Sequence, residues 1–254
     1  MLLLLLACSD SRTLSVAVAD VWGKPVMDAT VVLEGVVERY HTDTAGKFQI
    51  DVDDPVNRVM VGKSGYIKDF VVTEPPLEDD QDYPPLAFQL YPEPEMPGFY
   101  GVGREGYIHL QARHIRIVGT DVEHFAGLKD IPDEKMVAGP ARFVFSSTLR
   151  ASELSQMNLH LTRLKFIEKV PMKVPMKGLL GRDAATVNLW VADGDVPFDL
   201  KALQSRDDYL ISSRDPLTEG MYAFHSQDVL NEEDERVLMN LPKERQVAFP
   251  FGVD

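Results

Sequence analysis

The chain reads His41-Thr42-Asp43-Thr44-Ala45-Gly46-Lys47-Phe48 at the centre of a segment, Asp20–Phe70, in which short apolar stretches alternate with turn sequences. In a turn, Asp and Thr side chains accept hydrogen bonds from nearby backbone amides, and Gly adopts the positive φ that other residues avoid. We therefore predict that Asp43 forms a turn and that Gly46 sets the register of the next strand. In that strand, Lys47–Val52, the inward-facing side chains should be Phe48, Ile50 and Val52.

Similar turn sequences lie on both sides of this one, at Gly23-Lys24-Pro25 and at Lys63-Ser64-Gly65-Tyr66. Between them the side chains alternate between apolar and polar, which is the period of a strand with one buried face. The predicted strands are Thr13–Ala19, Thr30–Glu34, Val36–His41, Lys47–Val52, Asn57–Val61, Ile67–Thr73 and Leu86–Leu90. Short strands at this spacing, without a helical stripe between them, predict an antiparallel β-sandwich.

These turn motifs and the alternation around them resemble the carboxypeptidase regulatory-like domain, a small transthyretin-like sandwich with an Ig-like architecture. The resemblance covers residues 14–91. Members of that family accompany the catalytic domains of metallocarboxypeptidases or stand at the front of envelope proteins. The resemblance therefore implies a fold and an exported protein, and it names no reaction.

The N-terminus supports export. Residues 1–7 are a leucine-rich run, and Leu5-Leu6-Ala7-Cys8 resembles the lipobox of bacterial lipoproteins. That resemblance implies that residues 1–8 end a signal peptide, that Cys8 carries lipid and that residues 9–13 are a tether. The run is shorter than a membrane-spanning helix or a whole signal peptide, so we expect the true start codon upstream. The alternative is a disordered or buried apolar end.

The resemblance also implies a location. In lipoproteins of this kind, Ser9 directly after the cysteine is compatible with the outer membrane. We therefore expect the protein at the bacterial outer membrane or on the periplasmic face of the envelope, with the membrane as a partner through Cys8.

Charge and cysteine content exclude some kinds of partner and of site. The net charge is -14, and residues 9–96 hold 17 acids against 7 bases, a balance of -10. Nucleic acid is not an expected partner, because phosphate binding needs clustered Lys and Arg. The single cysteine excludes an internal disulfide and a cysteine-based zinc cluster.

A second domain is predicted after a linker at residues 92–98. Residues 74–95 contain seven acids, no Lys or Arg, and six prolines, a composition that excludes a central strand or a helix. Residues 99–254 match no family motif that we recognise and alternate mainly as strands. Ala151–Asn158 and Asp228–Leu241 are the predicted short helices, and the two Val-Pro-Met-Lys repeats of 170–177 predict an edge strand or loop. The fold class is therefore all-β, a sandwich followed by a β-rich domain with few helices.

No complete catalytic or metal motif is present. Neither His-x-x-Glu nor His-Glu-x-x-His occurs in the sequence, and we predict no catalytic residue, metal or cofactor. His109 and His114 form a metal pair only if a turn separates them; otherwise they are sheet-surface histidines. The acidic runs 51–54 and 78–82 lack the register of a calcium loop, which favours a solvated surface.

Aromatic side chains among glycines suggest one candidate ligand surface. It comprises Tyr100, Tyr107, His109 and His114, near Phe99. The alternative is that these residues begin strands that pack at a domain junction.

We therefore predict a non-catalytic, lipid-anchored envelope protein with a structural or binding role and an envelope protein or glycan as partner. One alternative is an envelope hydrolase with its site in the C-terminal domain, drawn from a pool of polar residues: His109, His114, Glu123, His124, Asp193, Asp195 and His225. Another is a carbohydrate-binding module, in which one surface would present Trp22, Trp190, Tyr100 and Tyr107.

Overall fold

The structure is a computed structural model that describes residues 11–74, 82–119, 124–133, 135–149, 153, 156–172, 186–204, 207–227, 229–231 and 235–254. The predicted lipidation site, Cys8, lies outside these residues, as do Glu123 and most of the acidic run 78–82. Strands dominate the described chain, so the protein is all-β, as predicted. Its described α-helix is short, Glu235–Asn240 (α1).

The chain divides into two compact units. Among the described residues, the first comprises those up to Glu95 together with Leu203 and Gln204, and the second comprises 96–202 and 207–254. The predicted linker, residues 92–98, contains the point of division.

The first unit is a small sandwich of seven strands. They are Arg12–Asp20 (β1), Thr30–Leu33 (β2), Arg39–His41 (β3), Lys47–Val52 (β4), Arg58–Gly62 (β5), Asp69–Val72 (β6) and Leu86–Leu90 (β7). One sheet has the order β4-β1-β7 and the other β3-β2-β5-β6. Buried side chains from both sheets, such as Val16, Phe88, Val31 and Val59, form one core.

The central turn has the predicted structure. Asp43 Oδ1 accepts hydrogen bonds from the backbone amides of Ala45 and Lys47, at 2.9 and 2.8 Å. Gly46 has a φ of 71°, and β4 follows in antiparallel register with β1, with Val16 opposite Phe48. Phe48, Ile50 and Val52 pack against the core, so the predicted inward face of this strand is confirmed.

One strand pairing in the first unit departs from the predicted antiparallel sandwich. Strands β1 and β7 run parallel, with Val18 opposite Phe88. Parallel neighbours need a crossover connection, and the chain between them supplies it by passing through all four strands of the other sheet.

The second unit is a larger sandwich. Its strands are Gly98–Val102 (β8), Tyr107–Leu110 (β9), Arg113–His114 (β10), Arg116–Gly119 (β11), His124–Leu128 (β12), Lys135–Met136 (β13), Arg142–Ser146 (β14), Leu159–Pro171 (β15), Thr186–Asp195 (β16), Phe198–Ala202 (β17), Asp208–Ser213 (β18), Gly220–Ser226 (β19) and Val247–Val253 (β20). The order β17-β18-β14-β8-β9 forms one sheet. The other has the order β10-β20-β19-β15-β16-β12-β11, with β13 also beside β20.

Alternation along the strands explains how these two sheets pack. Phe224 of β19 faces the five-stranded sheet, where its ring stacks on Phe99 with centroids 4.9 Å apart. Phe143 of β14 contacts Phe224 and Phe251 in the same core. The neighbours of Phe224 on its own strand, Ala223 and His225, point to the opposite face of the eight-stranded sheet. There Ala223 packs with Leu128, Leu164 and Leu230.

In the second unit, sequence alternation predicts the strands Tyr107–Ala112, His114–Val118, Ala141–Phe145, Leu159–Ile167, Thr186–Val191, Tyr209–Ile211 and Met221–His225. It does not predict β8, β12, β13, β17 and β20. Strand β20 contains Pro250, and prolines are normally absent from inner strands. The structure accommodates it because β10 pairs with Val247 and Ala248, while β13 pairs with Gly252 and Val253. Pro250 therefore lies in the gap between those two partners, where no backbone amide is needed.

The predicted helix Asp228–Leu241 is wrong in its extent, since α1 covers only Glu235–Asn240. Val229 and Leu230 instead lie in a turn, and they are buried in two different clusters. Of the other predicted helix, Ala151–Asn158, only Glu153 and 156–158 are described; Glu153 and Gln156 are helical, and the Met157 backbone amide donates to the Glu153 carbonyl at 3.1 Å. In the part of the chain that the structure describes, no helix combines the length and apolar character needed to span a membrane.

Candidate functional site

A large cavity opens at one end of the second unit, between its two sheets. It measures about 750 Å³ and is bounded by the beginnings of β8, β15 and β20 and by the ends of β14 and β19. Ligand cavities in proteins typically fall in the range of about 300–1,000 Å³. This volume is therefore sufficient for a small organic molecule.

The cavity combines an apolar interior with polar groups. Phe99, Phe145 and Phe249 line it together with Leu159 and Val247. The polar lining includes Ser146, Ser147, Thr148, Glu153, Gln156, His225, Ser226, Gln227 and Arg245. Glu153 and Arg245 carry opposite charges, so the site has no strong preference for either sign of ligand charge. Such a lining suits a compact amphipathic molecule.

A smaller depression, about 460 Å³, lies on the first unit beside β1, β4 and β7. Its lining includes Asp43, whose carboxylate already holds the β3–β4 turn. The polar groups of this depression are thus partly committed to the fold. The cavity of the second unit is the better candidate for a ligand site.

Beside the cavity wall, on the opposite face of the eight-stranded sheet, four polar side chains form a cluster. The Thr162 hydroxyl lies 2.8 Å from His225 Nε2 and 3.1 Å from Asp195 Oδ1. The other oxygen of Asp195, Oδ2, lies 3.8 Å from His160 Nδ1. The rings of His160 and His225 are nearly parallel, with centroids 5.4 Å apart. We call this group the His160–His225 cluster.

Proton positions in this cluster follow from its donors and acceptors. An ionised carboxylate only accepts hydrogen bonds, so the Thr162 hydroxyl donates to Asp195. The same oxygen then accepts the proton of His225 Nε2, and the neutral ring carries its lone pair on Nδ1. That atom is buried and makes no hydrogen bond with any described group. An unpaired acceptor is less costly than an unpaired N–H, which agrees with this tautomer.

Burial keeps His225 neutral. The residue is 1% exposed, and loss of solvation together with repulsion from His160 lowers its pKa from 6.5 to about 4. The charge of Asp195 and a hydrogen bond with the Ser226 backbone raise the pKa, but their effect is smaller. Near neutral pH, His225 is therefore a hydrogen-bonding group of the core and not a cation.

Three of the four predicted ligand-surface residues come together. Tyr100 lies opposite His109 across β8 and β9, and their rings stack with centroids 4.7 Å apart. Tyr107 packs against Tyr100 at 5.6 Å. However, Tyr100 is only 7% exposed, and its hydroxyl donates to the Met96 carbonyl. Its ring is thus covered and not presented to solvent, and Phe99 is buried in the core.

His114 lies apart from this group. It is exposed on β10, in the eight-stranded sheet, whereas His109 is on β9 in the five-stranded sheet. The two histidines therefore do not form the pair that a turn would have created. Among the residues that the structure describes, no cluster of three or more His, Cys, Asp or Glu side chains has metal-binding geometry.

The aromatic residues needed for a carbohydrate platform are dispersed. Trp190 lies on β16 of the eight-stranded sheet, where it packs on Phe166 at 5.0 Å and against the Leu128 cluster. Tyr100 and Tyr107 belong to the other sheet of that unit, and Trp22 belongs to the first unit. Partial burial of Trp190 in a sheet weighs against its use as a sugar-stacking face.

Of the polar residues considered for a hydrolase site, Asp195 and His225 lie close together, because both contact the Thr162 hydroxyl. Asp193 instead pairs with Lys165 at 3.4 Å on the surface. Sequence reasoning missed His160 and Thr162, the other members of the cluster. The available signal was the sequence Leu159-His160-Leu161-Thr162, in which alternation places both polar side chains on one face of a strand whose other face is apolar.

Comparisons with known proteins add no family. The chain matches no protein-family model, and no curated protein resembles it significantly.

Proposed function

We propose that this protein is a non-catalytic binding protein of the bacterial cell envelope, anchored by lipid on Cys8, whose second unit binds a small amphipathic molecule. The observation that carries the binding role is the cavity of about 750 Å³ between the two sheets of that unit. Its floor of phenylalanine rings and its hydroxyl and amide groups match the composition of small-molecule sites.

The envelope location is supported by sequence. Leu5-Leu6-Ala7-Cys8 resembles a lipobox, and the first unit resembles a carboxypeptidase regulatory-like domain. Its seven strands in two sheets around one core are compatible with that family. Ser9 after the cysteine is compatible with the outer membrane, and the folded units would then lie on the periplasmic face. An envelope protein or a glycan remains the expected macromolecular partner.

A hydrolase is the second candidate, and the His160–His225 cluster is the observation that favours it. Acid–base catalysis needs a group within hydrogen-bond reach of the substrate. Thr162 and His225 are buried, at 0% and 1% exposure, and only one carboxylate belongs to the cluster. The cluster is better suited to fixing the core beside the cavity than to attacking a substrate.

Mass spectrometry tests the anchoring. The protein is expressed in a Gram-negative host with a complete lipoprotein signal peptide fused ahead of Cys8, and the membrane fraction is analysed intact. The expected species begins at Cys8 and carries acyl chains. An unmodified, soluble chain that retains the signal peptide contradicts the anchoring.

Ligand-observed NMR tests the cavity. Indole and benzyl alcohol, each an apolar ring with one hydrogen-bonding group, are expected to give saturation-transfer signals with the full chain. Ser226→Trp, which places a large ring in the cavity, should abolish them. Thr186→Trp is the matched control, since Thr186 begins β16 and does not line the cavity. Equal signals from the two variants, or none from the unsubstituted protein, contradict the binding role.

A further inference from the structure

The outer face of the four-stranded sheet in the first unit has an unusual composition. Its inner face is defined by the buried Val31, Leu33, Val59 and Val61 and by Val71. Because successive side chains alternate, the intervening residues of β2, β3, β5 and β6 point outward. They are Thr30, Val32, Arg39, His41, Arg58, Met60, Gly62, Phe70 and Val72. None of these nine carries a carboxylate.

This face carries three of the seven basic residues of an acidic unit. Residues 9–96 contain only 7 bases against 17 acids, yet Arg39 and Arg58 both project from it. The stem of Lys68 also covers it, since the Lys68 Cγ lies where a Gly62 Cβ would point. Arg58 stacks over the Phe70 ring, 4.5 Å from its centroid. None of the three cations is ion-paired with a described residue.

Apolar side chains are exposed beside the two arginines. Met60 and Val72 on the face are 38% and 62% exposed. The β2–β3 connection adds Val36 and Val37, the latter 98% exposed. Register places that connection at the same end of the sheet, because Leu33 lies opposite Val59 and Arg58 lies opposite Val72. We call Arg39, Arg58, Val72, Val36 and Val37 the basic-apolar edge.

The acidic residues nearby form no described ion pair with the arginines of this edge. Glu38 in the β2–β3 connection accepts a hydrogen bond from the Tyr40 hydroxyl at 3.1 Å, on the inner side of the sheet. Asp28 pairs with His41, at the opposite end of the face. Glu34 flanks the edge and is exposed. By alternation Glu34, which follows the buried Leu33, points outward beside Arg58. The charge that the edge offers to a partner is therefore that of two arginines that are not ion-paired, with this one carboxylate beside them.

We propose that the basic-apolar edge docks the first unit onto an anionic phospholipid surface. Arginine side chains are attracted to anionic headgroups, and neighbouring exposed valines can insert at the interface. The remaining surface of this unit is acidic and is repelled by the same headgroups, so one orientation is selected. A fully exposed valine at a loop tip beside cations suits a lipid surface better than a polar protein partner.

Vesicle flotation tests the proposal with the full 254-residue chain carrying Cys8→Ser, so that no lipid anchor contributes. The expected result at low ionic strength is binding to vesicles of mixed phosphatidylglycerol and phosphatidylcholine, and none to phosphatidylcholine alone. The double variant Arg39→Gln/Arg58→Gln should bind about 30-fold more weakly, from about 1 kcal/mol for each cation near the surface. Val37→Ser/Val72→Ser should also weaken binding, without any change in charge.

The matched control is Lys24→Gln/Lys47→Gln, which removes the same charge from positions outside the face. It should bind as the unsubstituted chain does, and near-ultraviolet circular dichroism of all variants should be unchanged. Absence of binding to phosphatidylglycerol, or an equal loss in both double variants, overturns the proposal. Because the test chain lacks Cys8, this outcome is independent of whether the anchoring or the cavity proposal holds.

Discussion

Acidification is expected to destabilise the second unit through His225. Its pKa is about 4 in the folded protein, against the ordinary value of 6.5, because burial disfavours the imidazolium. Well above pH 6.5 the residue is neutral in both states and contributes no pH dependence. As the pH falls below 6.5, the unfolded chain binds a proton that the folded chain does not, so the free energy of unfolding decreases.

The magnitude follows from the shift. A difference of about 2.5 pKa units corresponds to about 3.4 kcal/mol when protonation of the unfolded state is complete. Between pH 7 and about pH 4.5, the loss attributable to His225 alone should be about 2 kcal/mol. The loss is greatest at or below the folded-state pKa and vanishes near neutrality.

His225→Gln isolates this contribution. A glutamine amide can still donate to the Thr162 hydroxyl in place of Nε2, but it does not titrate. The assay is urea denaturation at a series of pH values, followed by the fluorescence of Trp190. Trp22→Phe is used as the background, since the chain has two tryptophans. The difference in unfolding free energy between this background and its His225→Gln variant should change by about 2 kcal/mol between neutral and acid pH.

His114→Gln is the control for this measurement, because His114 is exposed on β10. Its curve should remain parallel to that of the parent at every pH. Parallel curves for His225→Gln as well would refute the reasoning, since they would show that His225 is not held neutral. Nitrogen-detected NMR of the imidazole provides a second reading: at neutral pH the proton should reside on Nε2.

Three further outcomes are expected. Thr162→Val keeps the side-chain shape but leaves His225 Nε2 and Asp195 without their shared hydroxyl. The free energy of unfolding in urea should therefore fall by about 1–3 kcal/mol. Thr162→Ser, which keeps the hydroxyl, should retain most of the stability. Phe143→Ala, at a 0% exposed position, should cost about 3–5 kcal/mol in the same assay, and Leu200→Ala on the exposed face of β17 much less; equal losses would contradict the core assignment. Gly46→Ala should lower the thermal unfolding midpoint more than Gly65→Ala does. Both residues have positive φ. However, a Cβ at Gly46 would lie 2.3 Å from the Val18 carbonyl oxygen, whereas none of the described atoms lies within 4 Å of a Cβ placed at Gly65.

Much of the first unit was predictable from sequence because its signals are local. Asp43 and Gly46 determine one turn through their own side-chain and backbone chemistry, and alternation on the flanking residues indicates which face of β4 is buried. The parallel pairing of β1 with β7 was not predictable, since it depends on how distant strands meet.

In the second unit, local signals were weaker. Strand β20 contains Pro250 and Gly252, two residue types that are disfavoured inside strands. The sequence alone does not show the neighbouring strands that accommodate them. Leu230 belongs to an imperfect apolar stripe, completed by Val237, Leu238 and Leu241, that predicted a helix, but it lies in a turn and is buried in another cluster. Tertiary packing overrode the local preference in both cases.

By itself, the sequence determined that the chain is all-β, that its first part is a turn-rich sandwich and that no complete catalytic motif exists, because these properties depend on residue types and their short-range spacing. Only the tertiary structure decided the sites. The cavity unites residues from 97 to 249, and the His160–His225 cluster joins three neighbouring strands, β15, β16 and β19. Register between strands sets such neighbours, and register arises from packing that no single segment encodes.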